Sequence, residues 1–208
     1  MSISSRESVK VVAICGSLRS KSYTRMALKI ALEGAEELGA ETHLIDLRYY
    51  NLPFCKQYEN SSDLPEDVFK LRHEVQKAEG IILGTPDYHG TFSGVLKNAL
   101  DLMGFDEFES KMVGLLGVAG GSMGSTLALD GLRSVGRQVH AWVVPLQVSI
   151  PSAYKQFDDM GNIKDSRIGH RLKELGRQVT RFAVLHQARQ SMEFLREWEQ
   201  APINPGGR

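Results

Sequence analysis

Five times along this chain a short apolar run gives way to an amphipathic stretch, and this alternation restricts the fold more than any other feature. The first run, Val9 to Cys15 ("VKVVAIC"), is β-branched and stopped by Gly16, as expected of a strand buried on both faces. After Ser22, the residues Ala27, Ile30, Ala31, Ala35 and Leu38 repeat at helical spacing, and Gly39 stands where a helix C-terminus takes positive φ. "ETHLIDL" predicts a second strand, and Leu64, Val68, Leu71, Val75 and Ala78 a second helix. "GIILGT" predicts a third strand, followed by the loop "PDYHGTFSG" and a helix through about Met103. "KMVGLLGV" is a fourth strand, with the loop "AGGSMG" and a helix from Ser125 to about Val135; "HAWVVPLQVSI" is a fifth, broken at Pro145. A long last helix starts near Asp165 and carries Ile168, Leu172, Leu175, Val179 and Phe182. Right-handed crossovers put helices on both faces of such a sheet, so the expected fold is α/β, a three-layer doubly wound domain around five parallel strands. The chain of 208 residues is short for two cores, so one domain is expected over residues 1–198, with a frayed tail at 199–208.

Ligands in this architecture sit beyond the carboxyl ends of the strands, where strand order reverses. That brings together the loops after strands one, three and four. In "GSLRSKSYT", residues 16–24, a strand meets a helix N-terminus whose unpaired N–H groups and positive dipole end favour an anion. Ser17, Ser20, Ser22 and Thr24 add hydroxyls and Arg19 a planar fork suited to phosphate. Lys21 and Ser22 follow Gly16 as in a P-loop, yet the second glycine is missing and the spacing is one residue short; G-x-G-x-x-G is absent too. A terminal monophosphate fits better than a triphosphate or dinucleotide. The competing reading is that Ser22 only caps the helix and Arg19 is a solvated charge.

The second loop, "GTPDYHGTFSGVLKNALD" at residues 84–101, offers a rigid turn with two ring-bearing side chains, Tyr88 and His89, between Pro86 and Gly90. A planar heteroaromatic guest suits it; a plain Pro-Gly turn with a core tyrosine is the alternative. Lys97 and Asp101 lie four apart with the cation nearer the helix N-terminus, the less favoured orientation, which leaves a partner across a subunit contact open. In "AGGSMG", residues 119–124, Gly120 and Gly121 free the backbone so that N–H groups up to Ser122 can face a ligand at a helix N-terminus; a double glycine is otherwise a tight turn.

Charge narrows the partners. Lys plus Arg and Asp plus Glu are both 25, without a basic run, so nucleic acid is not expected and a small molecule is. Cys15 and Cys55, the only cysteines, form no Cys-x-x-Cys, and the six histidines show no ligand spacing, so no metal is expected. A reducing, cytoplasmic setting follows. The N-terminus lacks a basic-then-apolar signal and no apolar run reaches membrane-span length.

"GSLRSKSYTRMAL", "TPDYHGTFSGVLKNALDLM" and "GVAGGSMG", in this order, resemble the NADPH-dependent FMN reductase family, flavodoxin-like flavoproteins that include quinone and azo-dye reductases. The resemblance covers roughly residues 9–150; beyond about residue 155 no motif is assigned. It implies a flavodoxin-like fold and FMN as cofactor, with Ser17, Arg19, Ser22, Tyr23 and Thr24 holding the phosphate. Pro86, Asp87, Tyr88, His89 and Gly90 would line the ring system, and Gly120, Gly121 and Ser122 would contact another part of the flavin. It implies NADPH as electron donor, with NADH possible, and a homodimer or homotetramer with the Lys97–Asp101 helix near the contact. The chemistry would be the flavin's own, so no catalytic residue is expected, only binding, stacking and charge. Hydride from NAD(P)H would pass by a ping-pong route to a flat acceptor such as a quinone, azo compound or free flavin. Two rivals remain: a flavodoxin-type single-electron carrier, disfavoured by neutral net charge and by Arg19 in the phosphate loop, and a reductase supplying flavin to a monooxygenase.

Overall fold

The run after Val9 forms β1 (Lys10–Cys15), buried from Val11 onward. The pleat sends its residues alternately to two sides, Val11, Ala13 and Cys15 into one apolar cluster and Val12 and Ile14 into the other. The computed structural model in which this is seen describes residues 8–55, 60 and 63–187; the tail expected at 199–208 lies outside the described residues.

The elements that follow are α1 (Tyr23–Glu36), β2 (Glu41–Asp46), a 3-10 turn (Leu47–Tyr49), α2 (Glu66–Gln76), β3 (Gly80–Tyr88), β4 (Thr91–Phe92) and α3 (Gly94–Asp101). Then come α4 (Phe105–Phe108), β5 (Met112–Val118), α5 (Thr126–Gln138), β6 (Trp142–Ile150), α6 (Ala153–Gln156) and α7 (Ser166–Gln187). The strands pair in parallel in the order β2-β1-β3-β5-β6. The chain therefore winds outward in both directions from β1 and β3, and their carboxyl ends flank the crevice where strand order reverses. On one face α1 and α7 bury Leu28, Ala31, Leu172, Leu175 and Val179; on the other α2, α3 and α5 bury Leu71, Val75, Leu96, Leu129 and Leu132.

The expected five-stranded, doubly wound parallel sheet is what forms. Two details differ from expectation. β3 does not stop at Thr85 but runs on to Tyr88 and turns back antiparallel into β4, pairing Asp87 with Phe92 and Tyr88 with Thr91. His89 and Gly90, between the paired positions, have φ of 56° and 79°, the backbone of a type I′ hairpin turn. Pro145 does not end β6; the ladder slips there instead, Val143 facing Val113 and Gln147 facing Leu115, because proline cannot donate to a ladder.

Candidate functional site

The first loop is organised by a residue that no motif singles out. Arg25, in the first turn of α1, grips Asp46 at the end of β2 with Nε at 2.7 Å and Nη2 at 3.2 Å. Its remaining N–H groups donate to the carbonyls of Arg19 (3.1 Å), Ser20 (3.0 Å) and Ser17 (3.4 Å). The loop's oxygens are thus drawn to Arg25. Its N–H groups from residue 18 to residue 24 meet no acceptor among the described residues, while that of Ser17 faces the Cys15 sulfur. Ser22 caps α1, its Oγ accepting from Arg25 N at 3.2 Å. Ser17 and Thr24 are only 3% and 2% exposed, and both line the cavity described below.

Buried hydroxyls fix this loop against the second. Ser93 Oγ donates to Gly16 O at 2.7 Å and accepts from Leu96 N at 3.2 Å, capping α3, while Ser93 N donates to Thr85 Oγ1 at 2.9 Å. Gly16 is required for this approach: a Cβ there would stand 2.7 Å from Leu96 Cβ and 2.9 Å from Ser93 Oγ. The third loop is held from the far side. Ser125 N donates to Ser149 Oγ at 2.8 Å, Ser152 N to Gly121 O at 2.9 Å, and Ala153 N to Ala119 O at 3.0 Å. Beneath the first loop, burial pushes the Cys15 thiol up from its ordinary range, so it stays protonated and unreactive at neutral pH.

These supports leave a cavity of about 330 Å³, within the rough 300–1,000 Å³ span of small-molecule sites. It gathers the expected Ser17, Arg19, Ser22, Tyr23, Thr24, Pro86, Asp87, Tyr88 and Gly120. Four expected residues are not in its wall. His89 and Gly90 form the hairpin turn, Gly90 N donating to Asp87 Oδ1 at 3.0 Å, whereas Gly121 and Ser122 stand beyond Gly120, exposed. Positive φ in the third loop belongs to Gly124, at 74°, rather than to the double glycine; a Cβ on Gly120 or Gly121 would project into open space, room that a ligand edge would use. α5 begins only at Thr126, so the 120–122 N–H groups precede the helix and do not belong to its first turn. Lys97 and Asp101, in turn, pair with each other within α3, at 2.6 and 2.9 Å.

Sequence reasoning missed the fourth wall. Ala153 and Tyr154 line the cavity, and Phe157 stacks on Tyr23 with ring centroids 5.4 Å apart and 18° between planes. A larger groove of about 570 Å³, between α1 and residues 160–173, holds Lys29, Glu33 and Lys173 but reaches the strand-end loops only at Ser20 and Ser22. The site is the smaller cavity, where all three loops meet.

An FMN-sized guest fits the chemistry of this cavity. The Ser17, Ser22 and Thr24 side chains in the wall, the N-terminus of α1, and the Arg19 and Lys21 cations suit one phosphate monoester. Pro86, Tyr88 and Tyr154 offer flat surfaces to a ring system. Among the described residues no three His, Cys, Asp or Glu side chains cluster to hold a metal, and no helix is long and apolar enough to cross a membrane.

Comparison with known proteins agrees. A model of the NADPH-dependent FMN reductase family matches residues 9–155. The chain is 36% identical over 167 residues to an NADPH azoreductase of Bacillus sp. (strain OY1-2), covering 80% of this chain and 90% of that one. It is 31% identical over 182 residues to the NADPH-dependent FMN reductase ArsH of Shigella flexneri, covering 85% and 69%. The FMN-dependent NADPH-azoreductase of Staphylococcus aureus (strain USA300) is 33% identical over 144 residues, covering 68% and 76%. Among solved structures, the flavoenzyme NAD(P)H:(acceptor) oxidoreductase FerB of Paracoccus denitrificans superposes with a TM-score of 0.66 at 24% identity, covering 86% and 98%. An oxidoreductase of Corynebacterium diphtheriae does so with a TM-score of 0.69 at 16% identity, covering 87% and 99%.

Proposed function

The chain belongs to the NADPH-dependent FMN reductase family, and from this premise we propose that it is an FMN-dependent oxidoreductase that takes a hydride from NADPH and reduces a flat acceptor such as a quinone, an azo compound or a free flavin. One observation carries the assignment of FMN to the 330 Å³ cavity: Ser17, Ser22 and Thr24 come to its wall together with Arg19 and Lys21, at the N-terminus of α1. FMN bound there supplies the hydride and electron transfer itself.

The protein's tasks are to hold, orient and shield. Arg19, Ser17, Ser22, Tyr23 and Thr24 grip the phosphate, the Ser22 and Tyr23 contributions coming with the N-terminus of α1. Pro86, Asp87 and Tyr88 line the ring, with His89 and Gly90 setting the hairpin that aims Tyr88. The backbone at Gly120, with Gly121 and Ser122 alongside, offers N–H groups to charge developing at the ring edge. Tyr88 and Tyr154, 43% and 58% exposed, leave an aromatic rim on which nicotinamide and then the acceptor lie in turn, which is ping-pong behaviour. Exposed Leu127, beside the hairpin turn at Gly90, extends this rim, and the apolar surface supports a homodimer or homotetramer closing over the site. The setting proposed is cytoplasmic, and NADH is a weaker donor.

Anaerobic stopped-flow mixing of FMN-loaded protein with NADPH tests this. Bleaching of the flavin absorbance in one rapid two-electron phase, faster than with NADH, is expected. Absence of bleaching, with the protein instead stabilising a one-electron-reduced form under chemical reduction, would make it a carrier that needs its own reductase.

A further inference from the structure

The phosphate loop carries three cations, and the structure gives each a different situation. Arg25 spends its N–H groups on Asp46 and on the carbonyls of residues 17, 19 and 20, so it shapes the loop and has nothing left for a ligand. Arg19 lines the cavity with no ion-pair partner among the described residues. Lys21 also lines the cavity, but its ammonium sits 3.1 Å from Asp159 Oδ1.

Asp159 comes from a short excursion between α6 and α7, past the end of the family match at residue 155. Phe157 and Ile163 close the excursion as an antiparallel bridge, and Asp158 pins its turn by accepting from Asn162 N at 2.8 Å and Asn162 Nδ2 at 3.0 Å. The Tyr23–Phe157 stack fastens the excursion to the phosphate loop. The Asp159 carboxylate itself is fully exposed and Lys21 just over half exposed, so their bond exchanges at little cost. A phosphate monoester brings about −1.5 to −2 charge at neutral pH, and Arg19 with a helix N-terminus of about +0.5 neutralises no more than the lower end of that range.

Resting on the FMN reading above, we infer that Asp159 is a placeholder anion: it holds Lys21 at the mouth of the cavity until the flavin phosphate takes the ammonium over, and in competing for it sets how readily FMN is released. Lys21 is then a phosphate ligand in the flavin-bound protein. Asp159, which touches no flavin atom, is a positioning residue. Its carboxylate lowers affinity for FMN and leaves riboflavin, the same ring without a phosphate, unaffected.

The test is titration of the flavin-stripped full chain with FMN and with riboflavin, followed by flavin fluorescence, in the wild type, Asp159→Asn, Lys21→Gln and the double variant. Asp159→Asn is expected to tighten FMN about two- to fivefold, the range of an exposed ion pair, without moving riboflavin. Lys21→Gln should weaken FMN about tenfold, as for loss of a charge-assisted bond, again without moving riboflavin. In the double variant the tightening by Asp159→Asn should vanish, since the carboxylate then has no ammonium to withhold. Tightening that persists without Lys21, or equal changes for both flavins, would overturn the exchange and leave Asp159 a general charge or packing effect. A wild type that binds neither flavin would overturn the FMN reading along with it.

Discussion

At the scale of single residues the site depends on a side chain it does not expose. Arg25 and Asp46 have side chains only 12% and 9% exposed, and the pair holds the first loop in the shape that frees its N–H groups. Removing Arg25 leaves the Asp46 carboxylate with Arg48 alone, whose Nη2 lies 3.8 Å away and whose N–H donates to it at 3.2 Å. Arg25→Met is accordingly expected to lower stability by about 3 kcal/mol in urea unfolding, the low end of the cost of breaking a buried pair, and to disorder the loop enough to abolish FMN binding. Arg25 was illegible in the sequence because its partner lies 21 residues away at the end of another strand, and local spacing carries no trace of that meeting. His89 is the opposite case: "YHG" reads as ring-lining, but the backbone uses it as a turn position with φ of 56°. Asparagine takes that conformation readily and is favoured before glycine in a type I′ turn. His89→Asn should therefore leave stability within about 0.5 kcal/mol of wild type and FMN affinity within about twofold. A tenfold loss of affinity with intact stability would make His89 a flavin contact after all.

Among the elements, the contact of α1 with α7 is what periodicity could not reveal. The apolar stripes of both helices were legible, as were the strand runs and the caps at Ser22 and Gly39, because each is written within a few residues. How closely the helices approach was not. A Cβ on Gly176 would lie 1.8 Å from Ala31 O, and one on Gly34 2.0 Å from Lys173 O, so the two backbones nearly touch. Glu37 then bridges to Lys173 and Arg177 across the seam. Gly176→Ala must push the helices apart, at about 3 kcal/mol or somewhat more of stability in denaturant melts, and the shift of α1 should weaken FMN binding as well. The excursion at 157–163 was equally hidden, since it depends on one bridge and one turn and has no hydrophobic period. The C-terminus of α2 carries a pH signal. Lys111 Nζ donates to the carbonyls of Val75 and Gln76, and burial pushes its pKa down to about 8 in spite of Glu79 and Glu107 nearby. Above that pH the folded chain has released a proton that the unfolded chain keeps until about 10.4, so stability should rise with pH over this interval. Tyr50, whose phenol is pushed up by burial and by its bond to Glu74, acts oppositely above about pH 10, where only the unfolded chain ionises. Unfolding free energies between pH 8 and 10 should climb in the wild type and lose that climb in Lys111→Met.

For the molecule as a whole, equal numbers of acidic and basic residues, 25 of each, mean that no long-range field gathers anions. Affinity for a phosphate must be local, concentrated where β1 and β3 part. The strand alternation made that crevice legible in outline, while the fourth wall, Ala153 to Phe157, was not, because its residues meet the others only through the completed sheet. The locality has a thermodynamic consequence. Ser17, Arg19, Lys21, Ser22 and Thr24 all line one cavity at the N-terminus of α1. A phosphate that binds them stabilises the fold directly. FMN at about a hundred times its dissociation constant should add about 2.7 kcal/mol, which for a chain of this size is a rise in Tm of about 5–10 °C. Riboflavin at the same concentration should give a clearly smaller rise, and NADPH without flavin almost none, because the nicotinamide has no ring to lie on until FMN is in place. Equal shifts from FMN and riboflavin would separate the phosphate from the 17–24 loop, and a full shift from NADPH alone would mean that the crevice belongs to the nucleotide and not to the flavin.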